Sequence, residues 1–382
     1  MFSIGIFTTT RAEFGILEPV IKRLSSSKSF NVSLFVGGTH LDENYGKTIS
    51  EIFEKKIKIT DTFDYLLNEN TSHSLSKSLG IATIEISHIF KKYDFDYVCV
   101  LGDRYELLSI ISNAILYKKP IIHIGGGEST QGLIDEQIRH MATKAAHIHF
   151  TSCDEYSKKI IDMGEERWRV HTCGSPAIET INSLPKKSKN KVFSDLGINP
   201  DLETVIMTYH PVTLEFNISV KKQVENIFQS LDKTNYQLVV TSPNIEVDRD
   251  QIVSIIKEKV NKNNNYYYFD SLGFERYHSF LPFCKLMIVN SSSGILEAPY
   301  HRIPTINIGS RQDGRIRHPS IIDADYTSES ISLSLDKISS GQLIQNIKSM
   351  EYKFGDGNSS QIIHDQLKLI LKSKKLLNKK LI

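Results

Sequence analysis

Short apolar runs alternate with amphipathic segments along most of the chain, and no other feature limits its fold as much. A bounded run of four to seven residues suits a strand buried on both faces. The amphipathic stretches between suit helices that cover those faces, so the pattern predicts parallel sheets with helices on either side. In the first half, strands are expected at Phe2–Phe7, Val32–Val36, Tyr97–Leu101, Ile121–Ile124 and His147–Thr151, with helices such as Ile16–Leu24 and Leu75–Phe90 between them. Gly174 to Asp201 interrupts the pattern with proline, serine and the basic cluster Lys186–Lys191, and reads as a crossing between domains. The alternation then resumes with strands Thr204–Met207, Gln237–Val240, Tyr266–Phe269, Leu286–Val289 and Thr305–Ile308. Helices fit at about Val220–Leu231 and Gln251–Val260.

A chain of 382 residues has room for two such units. The expected class is α/β, with two doubly wound Rossmann-type domains facing each other across a deep cleft. Ligands of such sheets bind beyond the carboxyl ends of the strands. The expected division is 1–175 for the first domain, 176–360 for the second, and 361–382 for a terminal helix packing back toward the first.

Composition excludes several functions. Lys plus Arg number 46 against 44 Asp plus Glu, a formal charge of +2, so no broad electrostatic footprint for nucleic acid or an anionic membrane exists. Four cysteines (Cys99, Cys153, Cys173, Cys284) without a CxxC give neither a disulfide framework nor a zinc ribbon. The most apolar stretch, Leu107 to Tyr117, contains Ser109, Ser112 and Asn113 and falls short of the ~18 residues of a membrane span. The opening MFSIGIFTTTRAEFG lacks the basic region of a signal peptide. A cytoplasmic, soluble enzyme is the expectation. The lysine-bearing stretch Ile362 to Leu381 reads as a packed terminal helix with a solvated basic face, in preference to a nucleic-acid contact.

Polar residues at the carboxyl ends of the strands carry the chemistry. After the first strand, TTTRAEFG puts Arg11 at a turn into a helix, where free N–H groups and the helix dipole favour anions. GDRYELL places Asp103 and Arg104 at a second strand-to-helix turn, where a capping aspartate is the alternative. In IIHIGGGESTQGLIDEQIRHMATKAAHIHF, three glycines bring Glu128 to a loop mouth; this is not a GxGxxG dinucleotide fingerprint. Asp135 and Arg139, four apart, share a helix face and suggest an ion pair. His147 and His149 alternate on one strand face and read as packed histidines more readily than as metal ligands.

In the second half, MTYHPVT sets His210 directly after a strand. IVNSSSGILEAP ends a strand in Asn290 and three serines, then opens a helix containing Glu297. Hydroxyls and helix N-terminal N–H groups make a phosphate cradle, and Glu297, a turn further in, could take the two hydroxyls of a ribose. INIGSRQDGR adds Arg311 and Arg315. Together these groups suit a nucleoside diphosphate linked to a sugar.

RAEFG, GGTHLDENYG, LGDRYELL, HIGGGE with IDEQIRH and TK after it, HPVT, SPNIE, VNSSSGILE, INIGSRQ with GR, and YKFGDGNSS appear in this order. With them the chain resembles the hydrolysing UDP-N-acetylglucosamine 2-epimerases of the sialic-acid and legionaminic-acid type, which share the two-Rossmann GT-B fold. The resemblance implies that His210, Ser291 and Ser292 meet the UDP diphosphate, with Arg11 and Arg311 neutralising it and Glu297 on the ribose. It implies catalytic roles for Asp103, Glu128 and Asp135, with Arg139 beside them, His40 at the sugar end and Arg104 near the diphosphate or sugar. Some relatives carry a lysine five positions after the first arginine; here that position is Ile16.

The implied reaction is UDP-GlcNAc plus water to ManNAc plus UDP, without metal or other cofactor. Anti elimination of UDP gives 2-acetamidoglucal, and hydration follows with inversion at C2. The alternatives are the same chemistry on UDP-N,N′-diacetylbacillosamine, a GT-B glycosyltransferase, and a non-catalytic nucleotide-sugar sensor. Domain closure is expected on binding, since the proposed ligands lie on both halves; the resemblance implies assembly as a homodimer or a dimer of dimers, and no nucleic-acid or membrane partner is expected.

Overall fold

Seven parallel strands build the first sheet: β1 (Phe2–Thr8), β2 (Phe30–Gly37), β3 (Asp61–Phe63), β4 (Tyr97–Leu101), β5 (Ile121–Ile124), β6 (Ile148–Thr151) and β7 (Val170–Thr172). Their spatial order is β3-β2-β1-β4-β5-β6-β7. Six more form the second sheet: β8 (Thr204–Thr208), β9 (Gln237–Thr241), β10 (Tyr266–Phe269), β11 (Leu286–Val289), β12 (Thr305–Ile308) and β13 (Ile321–Ala324), in order β10-β9-β8-β11-β12-β13. The computed structural model describes every residue except 68–70, 131–133, 212–217, 244–248, 342, 372, 374 and 381–382. Among the described residues, no helix is long and apolar enough to cross a membrane.

The ten strands read from apolar runs are all present, within two residues at each end. β3, β7 and β13 are additional, and each lies at an edge of its sheet, as does β10. An edge strand is covered less completely than a central one, so the sequences of these three (DTF, VHT and IIDA) need not form continuous apolar runs. The first helix starts at Arg11 instead of Ile16. Thr10 accepts from the Glu13 amide, and the Glu13 carboxylate returns to the Thr9 and Thr10 amides, a capping box that fixes the start.

Successive residues of the first sheet feed opposite layers. Ile4, Ile6, Leu34, Val36, Ile122 and Ile124 pack under the helices Arg11–Ser25 and Ser359–Ile370. Phe35, Val98, Val100 and Ile121 pack under Ser72–Lys92 and Leu107–Leu116. Burying one such side chain fully contributes about 1.5–3 kcal/mol.

The chain divides into one unit of Met1–Glu128, Leu133–Asn182 and Lys353–Ile382, and a second of Ser129–Gly132 and Ser183–Tyr352. The outgoing chain leaves the first unit at Asn182, because the helix Pro176–Asn182 still packs on Arg11–Ser25. The last helix, Ser359–Ile370, packs on both. It stops well short of the expected Leu381, itself outside the described residues. Carbonyls of Lys375, Leu376 and Asn378 accept from Arg169, so they are committed to a side chain and not to a helical ladder.

Each sheet has one topological switch point, where successive connections run in opposite directions. In the first it lies between β1 and β4, whose carboxyl ends lead to Thr9–Arg11 and to Gly102–Arg104. In the second it lies between β8 and β11, whose ends lead to His210 and to Asn290–Ser292. Adjacent strands leave an open crevice there, which is where doubly wound sheets bind ligands.

Within the first unit, Gly174 and Gly355 meet backbone to backbone. Both have positive φ (79° and 86°), and a Cβ on Gly355 would lie 2.8 Å from the Gly174 Cα. Gly355→Ala is therefore expected to lower stability by about 2 kcal/mol or more. Urea unfolding followed by the fluorescence of the single tryptophan, Trp168 of the same unit, measures it.

Candidate active site

The helix Ile134–Ala145 carries the group that organises the first unit's acidic residues. Arg139 is almost fully buried and forms an ion pair with Asp103, from the loop after β4. Its Nη1 donates to the Glu128 carbonyl, after β5, at 3.0 Å and lies 3.3 Å from Glu136. One guanidinium thus links two loops and its own helix. The expected i,i+4 contact between Arg139 and Asp135 gives way to these partners, and Arg139 bears on Asp135 only through its field. Asp103 is no helix cap, since the helix Leu107–Leu116 is preceded by Glu106.

Burial raises the Asp135 carboxyl above the ordinary carboxylate range, and the neighbouring Asp103 charge raises it further. Glu128 accepts from the Ser152 hydroxyl at 3.3 Å. The glycine before it, Gly127, has φ +79°, and any Cβ there would meet the Tyr156 carbonyl at 2.4 Å. Only glycine lets the loop turn this tightly to present Glu128.

Beside this group lies a second one that the motifs did not reveal. The Glu106 carboxylate is buried; its Oε1 accepts from Arg104 Nη2 at 2.8 Å and from the Tyr65 hydroxyl at 2.9 Å. Burial works against the Arg104 charge, but the Glu106 and Glu13 carboxylates outweigh it. Burial raises the Glu13 carboxyl, and Arg104 opposes that rise. The sequence holds Glu106 in RYELL, where nothing separates it from an ordinary helix-start glutamate.

Arg11 is half-exposed and pairs with Glu51 at 2.9 Å. His40 has no exposed surface. Its Nε2 lies 3.2 Å from the Thr8 hydroxyl and its Nδ1 2.8 Å from that of Thr48, so both ring nitrogens are engaged. Burial pushes its pKa down to about 4. His40 therefore lies neutral beneath the carboxyl end of β1.

In the second unit, His210 and Asn290 bridge the switch point. The His210 amide donates to Asn290 Oδ1 and Asn290 Nδ2 donates to the His210 carbonyl, each at 2.8 Å. Arg311 Nη1 (3.3 Å) and Gln312 Nε2 (3.1 Å) both reach the Asn290 carbonyl. Burial, and after it the Arg311 charge, lower His210 to about 3, so the ring is neutral and positive charge comes from the arginine. Ser291 and the exposed Ser292 precede the helix Ser293–Tyr300, and their carbonyls accept from the Gly294 and Ile295 amides at 3.2 and 3.0 Å. Glu297, one turn in, accepts from the Ser293 hydroxyl at 2.6 Å, which also contacts the Tyr277 hydroxyl.

Among the described residues, no group of three His, Cys, Asp or Glu side chains is placed to hold a metal ion. His149 instead lies 3.4 Å from buried Glu165, and His147 Nδ1 accepts from the Ile121 amide. Glu165 is too distant in sequence for local spacing to reveal. Val212 and Thr213 of HPVT and Asn244–Glu246 of SPNIE lie outside the described residues.

Two parallel, doubly wound units with polar groups gathered at the switch points define an α/β protein of the GT-B-like class. The crystal structure of a UDP-GlcNAc 2-epimerase from Neisseria meningitidis, bound to UDP-GlcNAc, matches with a TM-score of 0.83 over 98% of this chain and 100% of that one, at 17% identity. The chain belongs to the UDP-N-acetylglucosamine 2-epimerase family, whose sequence model matches residues 22–368. It is 36% identical over 345 residues to the GDP/UDP-N,N′-diacetylbacillosamine 2-epimerase (hydrolyzing) of Campylobacter jejuni, covering 90% of this chain and 89% of that protein. It is 30% identical to the UDP-N-acetylglucosamine 2-epimerase of Neisseria meningitidis serogroup B, covering 87% and 86%.

Because His40 titrates near 4 when folded and near 6.5 when free, the unfolded chain binds more protons between those values. Stability is therefore full above about pH 6.5 and falls as the pH drops toward 4. Removing this histidine in His40→Asn is expected to shrink the stability lost between about pH 7 and pH 5 by about 2 kcal/mol. Urea unfolding of both proteins at the two pH values, read from Trp168, checks it; parallel losses would mean that His40 titrates freely.

Proposed function

We propose that the protein is a hydrolysing nucleotide-sugar 2-epimerase that expels a nucleoside diphosphate from C1 and returns a free 2-acetamido sugar inverted at C2. The observation that carries this reading is the set of Asp103 and Glu128, after the carboxyl ends of β4 and β5, with Arg139 and Asp135 on the helix Ile134–Ala145. Inversion at C2 needs that C–H bond broken, although no adjacent carbonyl acidifies it. Departure of the diphosphate makes C1 cation-like and the C2 proton removable. Asp103 and Glu128 are the proposed proton-transfer groups. Asp135, with its raised pKa, is suited to keep a proton available for the hydration step.

The second unit's groups supply the leaving-group side of the proposal. Arg311 would provide counter-charge and the N–H groups at Ser291–Ser293 would bind phosphate oxygens, while Glu297 would take the ribose hydroxyls. Neutral His210 would donate one hydrogen bond to the diphosphate without adding charge of its own. Arg11 would have to release Glu51 to meet an anion.

UDP-N,N′-diacetylbacillosamine is the favoured sugar nucleotide, supported by the 36% identity to the Campylobacter enzyme. This reverses the order of preference drawn from the motifs, which lie on what both substrates share. UDP-GlcNAc is the second reading, supported by the Neisseria relative.

Purified protein incubated separately with UDP- and GDP-linked diacetylbacillosamine and with UDP-GlcNAc, with the released sugar identified by NMR, tests the proposal. Faster release from the UDP-linked diacetyl sugar is expected, and inertness towards all three would end it. Asp103→Asn is expected to lower kcat by about 10²–10⁴-fold. Glu297→Gln is expected to raise KM several-fold and leave kcat nearly unchanged. Product release at varied substrate concentration separates the two.

A further inference from the structure

We infer that the segment Lys375–Lys379 clamps the Ile134–Ala145 helix in register, and that Lys379 is a positioning residue for the first unit's carboxylates. The catalytic part of this inference rests on the functional reading above; the clamp itself does not.

The segment is anchored first by Arg169, whose side chain has no exposed surface. Its Nη1 donates to the carbonyls of His147 (3.1 Å) and Leu376 (3.0 Å), and its Nη2 to that of Asn378 (3.0 Å). Glu166 balances its charge at 2.8 Å. Leu376 is 3% exposed and belongs to the hydrophobic layer beneath the sheet. These contacts tie the segment to β6, β7 and the core.

Lys379 then reaches the end of the helix that bears Asp135 and Arg139. Its ammonium donates to the Ala146 carbonyl at 2.7 Å, to that of Lys144, and at 3.4 Å to that of Thr143. The last carbonyls of a helix have no partner within it, and the negative end of the helix dipole favours a cation there. Glu165, fully buried, receives Lys379 at 2.9 Å and Lys144 at 2.8 Å. Lys379 is itself mostly buried, so its charge has exchanged water for these acceptors.

The same helix is held at two further points. Thr143 Oγ1 lies 3.4 Å from His123 Nδ1, and His123 Nε2 donates to the Gly102 carbonyl at 2.8 Å, immediately before Asp103. Nearer its start, Arg139 binds Asp103 and the Glu128 carbonyl. Arg139 and Ala146 are about 10 Å apart along a helix axis. A slide or rotation at the clamped end would therefore move the guanidinium and, with it, both loops. Shifts of about 1 Å in catalytic geometry can cost up to 10²-fold in rate.

The test compares full-length Lys379→Met, which keeps the aliphatic stem and removes the donors, with Lys379→Arg, which restores them. For Lys379→Met, kcat is expected to fall at least fivefold with KM changed less than twofold, and Lys379→Arg is expected to recover most of the loss. A smaller fall, or no recovery in the arginine variant, overturns the positioning role. Where the methionine variant does not accumulate folded, Lys379→Gln takes its place under the same criteria. Amide hydrogen exchange decides the clamp whatever the turnover: faster exchange over Ile138–Ala145 is expected, and unchanged protection overturns it. Wild-type protein inert towards every nucleotide sugar removes the functional reading, whereas an active wild type with an unimpaired variant removes only the role of Lys379.

Discussion

A buried guanidinium holds the first unit's acidic site together. Arg139 has little access to water, so its charge must be met inside the protein, and Asp103, Glu136 and the Glu128 carbonyl meet it. Losing Asp103 would leave the guanidinium to Glu136 and the Glu128 carbonyl, so one side chain couples the loops after β4 and β5 to the helix Ile134–Ala145. Catalytic carboxylates need this kind of support, because proton transfer depends strongly on small displacements.

Burial acts differently on the histidines and on Asp135. His40, His123 and His210 are held neutral by desolvation, so each provides directed hydrogen bonds without charge. Asp135 is pushed the other way and keeps its proton longer. Positive charge is left to arginine and lysine, which remain charged when partly buried. Of the motif residues, His40 lies sealed and neutral under β1, and Arg11 is an exposed partner of Glu51.

Apolar runs announced every central strand because a strand buried on both faces has no room for polar side chains. The carboxyl-end polar residues were equally visible, since they break those runs abruptly: Asp103 and Arg104, Glu128, His210, Asn290 and the serines. The edge strands β3, β7 and β13 were not visible, because solvent on one side permits ordinary polar residues there. Glu106, His123 and Glu165 were hidden for another reason. Each is recognisable only by its partner, and Tyr65, Gly102 and Lys379 stand far from them in sequence.

The sequence by itself determined two parallel α/β units and the positions where chemistry can enter, because hydrophobic periodicity and strand-end polarity are local properties. Only the tertiary structure decided that Arg139 turns to Asp103 instead of Asp135, that His40 is sealed and neutral, and that Lys379 returns to cap a helix more than 230 residues earlier. Charge pairing and desolvation depend on which groups exclude water from one another in space. No spacing along the chain encodes that directly.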